Sequence, residues 1–160
     1  CQAADDIYRV DIPCQADAIV TSCGGFPKDI SLYQGTKTID NVESALKPGG
    51  TLVLFIEAPE GGGPAEYFDW SKNLQDGTLE QRLREAFTVA GYIFFLNCEQ
   101  AQRYRIFLYS SIDPKDVAPM GIHAYSDLDE LLKAAQLDGK STYVIPNGST
   151  VIPRVKGANQ

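Results

Sequence analysis

Gln34 and Lys37 stand one helical turn apart in the stretch SCGGFPKDISLYQGTK, residues 22–37. On a helix of 3.6 residues per turn they lie roughly 60° apart and point away from the apolar stripe that follows, towards solvent or a cleft. Just upstream, Gly24 and Gly25 let backbone N–H groups approach a ligand, and the start of the helix favours an anion. Lys28 and Asp29 add charge to the same turn. A purely structural account uses the same residues, because Ser31 and Gln34 make S-x-x-Q, a capping box that needs no ligand. The residues alone leave a structural turn and an anion site both open.

Other candidates carry less chemistry. EGGGP (60–64) lacks the G-K-[ST] of a phosphate-binding loop and reads as a flexible rim. LKPGGTLVLF (46–55) resembles the turn-to-strand segment of methyltransferases that use S-adenosylmethionine, but a G-x-G-x-G loop after the first strand is missing. A methyltransferase fragment is therefore one alternative. His123 is the single histidine, so it can assemble neither a metal site nor a pair of proton shuttles. Asp5, Asp6, Asp127 and Asp129 read as solvated or capping charges, and no G-x-S-x-G elbow is present.

The elements that must position these residues alternate in type. ADAIVTSC (16–23) is a short apolar run stopped by two glycines, the pattern of a buried parallel strand. From Leu32 the spacing turns helical, with Leu32, Ile39, Val42, Ala45 and Leu46 on one face, until KPGG (47–50) breaks it. TLVLFIE (51–57) is the clearest strand, and APEGGGP (58–64) is its exit loop. TLEQRLREAFTVAG (78–91) predicts an amphipathic helix that extends towards Arg103. RIFLYSS (105–111) is a third buried strand. SDLDELLKAAQLDG (126–139) is a helix with Ser126 and Asp129 in capping-box spacing and Gly139 as its stop. STYVIP (141–146) closes the set, with NGSTVIPRV trailing. This alternation predicts an α/β three-layer sandwich with a mainly parallel, Rossmann-like sheet. In such sheets ligands collect beyond the carboxyl ends of the strands, so residues 24–31 and 58–64 should share one edge.

Composition narrows the function classes. The 160 residues suit a single domain, and 44% apolar against 22% charged residues is ordinary for a folded soluble chain. A net charge of −7 argues against nucleic acid as a partner. No apolar run is long enough to span a membrane. The chain begins at Cys1, which reads as a processed protein or a piece of a longer one, with a lipidated cysteine as the alternative. Cys1, Cys14, Cys23 and Cys98 show no metal spacing, and buried free thiols at Cys23 and Cys98 fit a reducing, cytoplasmic compartment.

One ordered set of residues carries a resemblance. The strand 16–22, then SCGGFPKD (22–29), LYQGTK (32–37), KPGG (47–50) and a strand ending in EAPEGGG (57–63) is similar to the C-terminal domain of the nickel-pincer lactate racemase family. STYVIPNGSTVIP (141–153) also resembles that family's closing segment, so the likeness covers residues 1–160 as one α/β domain of a larger two-domain enzyme. The resemblance implies an active site in a cleft between the two domains. The N-terminal domain would carry the nickel-pincer nucleotide and the acid/base histidines; this chain would bind no cofactor or metal itself and would be inactive alone. It also implies a small 2-hydroxy acid substrate racemised or epimerised by hydride transfer. Lys37 would be catalytic, and with Gln34, Gly24 and Gly25 would hold the substrate. Lys28, Asp29, Glu60, Gly61 and Trp70 are further candidates for lining that cleft, with core packing the alternative for Trp70. A stand-alone α/β module binding a small anionic ligand is the reading to weigh against this one.

Overall fold

The computed structural model describes residues 7–156, so readings that fall on Cys1, Asp5 and Asp6 lie outside the described residues. The chain runs β1 (Arg9–Ile12), β2 (Ala16–Ser22), α1 (Leu32–Gly35), α2 (Lys37–Val42), β3 (Leu46–Phe55), α3 (Trp70–Gln75) and α4 (Leu79–Glu85). It continues through α5 (Val89–Arg103), β4 (Arg105–Tyr109), α6 (Pro114–Val117), β5 (Ile122–Tyr125), α7 (Leu128–Ala135), β6 (Thr142–Ile145) and β7 (Ile152–Val155). Five strands form a wholly parallel sheet in the order β5-β4-β3-β2-β6, and β1 pairs with β7 in a separate parallel ribbon.

Register sorts the side chains of the large sheet into two faces. Ile19, Leu52, Ile106 and Ile122 stand in one row and Thr21, Leu54, Leu108 and Ala124 in the next, all on one face. All eight are buried, and the seven apolar ones belong to the main core together with Leu32, Ile39, Val42 and Phe94 of α1, α2 and α5. Successive residues of a strand face opposite ways, so Val20, Val53, Phe107 and His123 lie on the other face. Leu131 and Ala135 of α7 cover part of it, while Val144 of the edge strand β6 remains 70% exposed. The expected three layers are therefore present, one thick and one thin.

Three boundaries differ from the sequence reading. KPGG does not end a helix; it lies inside β3 as a bulge, where the partner of Ala16 is Leu46 but that of Ala18 is Thr51. The helix expected over 78–91 and onward is two helices, with a break at Ala86–Thr88. Thr88 caps α5 by accepting from the Gly91 amide at 3.0 Å. The cap of α7 is Asp127, which accepts from the Glu130 amide at 2.9 Å, one residue past the expected Ser126, and α7 ends at Ala135 with Gln136 left-handed rather than at Gly139.

Trp70 packs on α5. A Cβ built at Gly91 would enter its indole ring, so Gly91→Ala is expected to cost about 1–3 kcal/mol by overpacking. Trp70 is the single tryptophan. A red shift of its emission together with the loss of stability would report its displacement; an unshifted spectrum with full stability would show that the helix gives way freely.

Candidate functional site

Because the strands are parallel, the loops leaving β2 and β3 emerge at the same edge of the sheet. They are stitched together there. The Ala58 amide donates to the Asp29 carbonyl at 2.8 Å and the Glu60 amide to the Ile30 carbonyl at 2.9 Å. In return, the Leu32 and Tyr33 amides at the start of α1 donate to the Gly61 and Gly62 carbonyls at 2.9 and 3.1 Å. The turn uses its glycines as expected, with φ of +98° at Gly24 and +75° at Gly25.

This stitching changes the expected role of the helix start. Ser31 is the residue before α1, but its side chain makes no capping bond, and the amides of Gln34 and Gly35 are taken by its carbonyl. The first amides of α1 are thus occupied by the neighbouring loop and by the turn itself, leaving no open anion cradle. The capping box does not form either. Gln34 turns outward, and its Oε1 accepts from Lys37 Nζ at 2.8 Å.

The pair is therefore assembled before any ligand arrives. Lys37 Nζ also lies 4.2 Å from the centroid of the Tyr33 ring, a favourable cation–π placement. Leu32, Ile39 and Val42 are fully buried beneath it, so Gln34 and Lys37 point away from the core as their spacing predicts. They share a cavity of about 460 Å³ with Lys28, Asn41, Asp40 and Ser149. Asp40 is held by Gln100 Nε2 at 2.7 Å, and burial raises its carboxyl above the usual range, an effect the nearby Gln100 and Arg103 offset in part.

The other candidates separate. Gly25 and Asp29 line a second cavity of about 480 Å³ with Phe55, Glu57 and Tyr109, at the ends of β2, β3 and β4. Gly24 sits against the tail, since a Cβ there would come within 2.8 Å of Asn147 Oδ1. Glu60 and Gly61 serve the loop ladder through their backbone; neither lines these two cavities, and nor does Trp70.

Sequence reasoning missed the contribution of the tail. Ser149 Oγ donates to the Cys23 carbonyl at 2.7 Å and accepts from Lys28 Nζ at 3.0 Å, while Asn41 Nδ2 donates to the Gly148 carbonyl at 3.1 Å. The only local hint was the N-G-S-T turn signal itself. A second unread feature is a polar seam between α5 and the α1–α2 segment. Asn97 Nδ2 donates to Thr36 Oγ1 at 2.9 Å and to Tyr67 Oη at 2.7 Å, and Arg103 pairs with Glu43 at 3.3 Å.

Cys14, Cys23 and Cys98 are free, the last two buried as expected. Burial pushes the Cys98 thiol up to about 12 from 9.0 and raises Cys23 as well. The folded chain then keeps protons that the unfolded chain releases, so stability is expected to fall as pH rises through the window from 9 to about 12. Denaturant titrations at pH 8 and pH 10 should show this, and Cys98→Ala should flatten the slope. A slope unchanged in the variant would assign the loss to other groups.

Among the described residues no three His, Cys, Asp or Glu side chains converge in a way that could hold a metal, and His123 stacks on Phe107 with ring centroids 5.4 Å apart. No helix of the described residues is long and apolar enough to cross a membrane.

The comparisons with known proteins agree on one family. Residues 12–153 match the lactate racemase C-terminal domain. The chain is 27% identical over 165 residues to the lactate racemase of Thermoanaerobacterium thermosaccharolyticum, covering 98% of this chain and 38% of that protein. It is 26% identical over 149 residues to the lactate racemase of Lactiplantibacillus plantarum, covering 85% of this chain and 34% of that protein. The structure of the Thermoanaerobacterium lactate racemase apoprotein superposes with a TM-score of 0.82 at 27% identity, over 96% of this chain and 39% of the other. A Thermotoga maritima protein matches with a TM-score of 0.64 at 14% identity, a likeness of fold alone. The chain thus spans well under half the length of the relatives it matches. Its family model, covering nearly the whole sheet and both stitched loops, shows that the chain belongs to the lactate racemase C-terminal domain family.

Proposed function

We propose that the full-length protein is a racemase or epimerase of lactate or another 2-hydroxy acid, and that this domain holds the substrate. The observation that carries the reading is the Lys37–Gln34 pair, already joined at 2.8 Å on a cavity wall beside the carboxyl edge of the sheet, in a chain of this family. An ammonium with spare hydrogens and a carboxamide N–H can together fix a carboxylate by charge-assisted hydrogen bonds. Holding the carboxylate leaves C2 free to become planar and to be rebuilt on either face without drifting.

The side chains described here do not fit a metal site. In this reading a nickel-pincer nucleotide, which supplies the hydride acceptor when bound, and the acid/base groups belong to the N-terminal domain, so the isolated chain is inactive. A cytoplasmic location is part of the same reading and is supported by the free thiols.

The test is full-length protein incubated with enantiopure lactate and other 2-hydroxy acids in D₂O. Loss of optical activity with retention of the C2 hydrogen is the expected result. Loss of optical activity with deuterium at C2 would replace hydride transfer by proton abstraction. No change with any 2-hydroxy acid, using cofactor-loaded protein, would remove the racemase reading and leave the anion-binding module.

A further inference from the structure

Lys37 is not the only ammonium on the wall of its cavity. Lys28 comes from the turn after β2, and its Nζ donates to Ser149 Oγ at 3.0 Å. Ser149 is itself anchored through its own hydrogen to the Cys23 carbonyl at 2.7 Å, which fixes the lone pair that receives Lys28. Among the described residues neither Lys28 nor Lys37 is in an ion pair. The one carboxylate on this wall, Asp40, is turned to Gln100.

Two unpaired ammonium groups facing one cavity repel each other and raise the local positive potential. A monocarboxylate neutralises one of them and leaves the other. The rest of the wall mixes polar and apolar surface. Asn41 lines it, and so does Thr38, a residue 1% exposed whose hydroxyl has no partner among the described residues; the one apolar side chain is Ile93. A buried hydroxyl without a partner is costly.

From this geometry we infer that the substrate is a 2-hydroxy dicarboxylic acid, with Lys37 and Gln34 on the carboxylate next to C2 and Lys28, steadied by Ser149, on the distal one. The inference rests on the substrate-holding reading above and narrows its substrate class. An ammonium carries three hydrogens, so Lys28 can keep Ser149 and still donate to a carboxylate.

The experiment uses the full-length protein and two acids without a reacting hydroxyl, succinate and propionate, with dissociation constants from calorimetry. Succinate is expected to bind about tenfold or more tighter than propionate, a difference of about 1.4 kcal/mol or above. Lys28→Met should remove most of that margin and lower the ratio of kcat/KM for malate over lactate by a similar factor, while Lys28→Arg should keep part of it. Succinate binding no tighter than propionate, a margin that survives Lys28→Met, or equal weakening of both acids would each overturn the inference. So would gluconate binding more tightly than succinate, which would point to a polyhydroxy acid. Failure of the underlying reading looks different: Lys37→Ala would leave propionate binding unchanged.

Discussion

Lys37→Ala in the full-length protein is expected to lower kcat/KM by roughly thirtyfold to several thousandfold, with little change in stability. Removing one partner of a charge pair in a closed, desolvated cleft costs about 2–5 kcal/mol, against about 0–1 for an exposed surface pair. At about 1.4 kcal/mol per decade this spans the range given. Stability should hold because the side chain lies over Tyr33 and Gln34 rather than in the core, and alanine favours the helix. Lys37→Arg should restore only part of the activity, since a planar fork does not reproduce a compact ammonium seated 2.8 Å from Gln34 Oε1. Gln34→Ala separates structure from chemistry. Its side chain makes no capping bond, so activity rather than stability should suffer. An unaltered kcat/KM for Lys37→Ala in cofactor-loaded protein would remove Lys37 from the site.

Tyr67→Ala should be the most destabilising of the substitutions considered. Tyr67 is 0% exposed and meets Tyr33, Phe68 and Phe94 edge-on, with centroids 6.4, 5.2 and 5.5 Å away. Truncating a buried aromatic ring costs about 3–5 kcal/mol. Here the loss is compounded, because Asn97 Nδ2 gives up one of its two acceptors. The apparent Tm of the domain should fall by roughly 6–20 °C, at about 2–4 °C per kcal/mol for a protein this size or larger. Tyr67→Phe keeps the ring and loses the hydroxyl, so it should cost only about 1–3 kcal/mol. Tyr67 follows the loop that caps α1 and packs on Tyr33, the ring beneath Lys37. Tyr67→Ala should therefore raise KM even well below its lowered Tm. A Tm within error of the parent would show that the aromatic cluster is not needed to hold the loop.

β2 and β3 and their shared edge were legible in the sequence because each is an apolar run followed by glycines, and β4 by its apolar run alone, whereas β5, the short strand that carries His123, was read as loop. β2, β3 and β4 are neighbours, as the alternation predicts. The errors have local causes too. Lys47, Pro48 and Gly49 have the composition of a helix stop because a bulge at the sheet's far edge is as exposed as a loop. The sequence S-D-L-D-E offers two capping registers, S-x-x-D and D-x-x-E, one residue apart, and only the backbone chooses between them. The break between α4 and α5 contains neither glycine nor proline, so periodicity ran straight through it.

At the site, Gln34 and Lys37 were readable as a pair because they stand three positions apart. Ser149 reaches Lys28 across 121 positions, and Asn97 reaches Thr36 across 61. No window along the chain contains both ends of such contacts. The occupied amides of α1 escaped notice for a related reason. A glycine-rich loop and a helix start each look like a ligand cradle by themselves, and here they satisfy one another.

The pairing of β6 with β2 and of β7 with β1 sets the order in which a ribosome can finish this domain. A nascent chain that has reached Ala135 holds four of the five sheet strands, yet the outer edge of β2 has no neighbour and Lys28 has no Ser149. Synthesis proceeds at about 5–20 residues per second, so this state lasts on the order of seconds. An open parallel edge with its backbone N–H and C=O groups unpaired is a template for other chains. A chain cut short before Ser149 would therefore be a sticky, degradable product rather than a weak binder that competes for substrate. Completion of the fold and completion of the cavity wall are the same event, reached only when the segment carrying β6, Ser149 and β7 has been made.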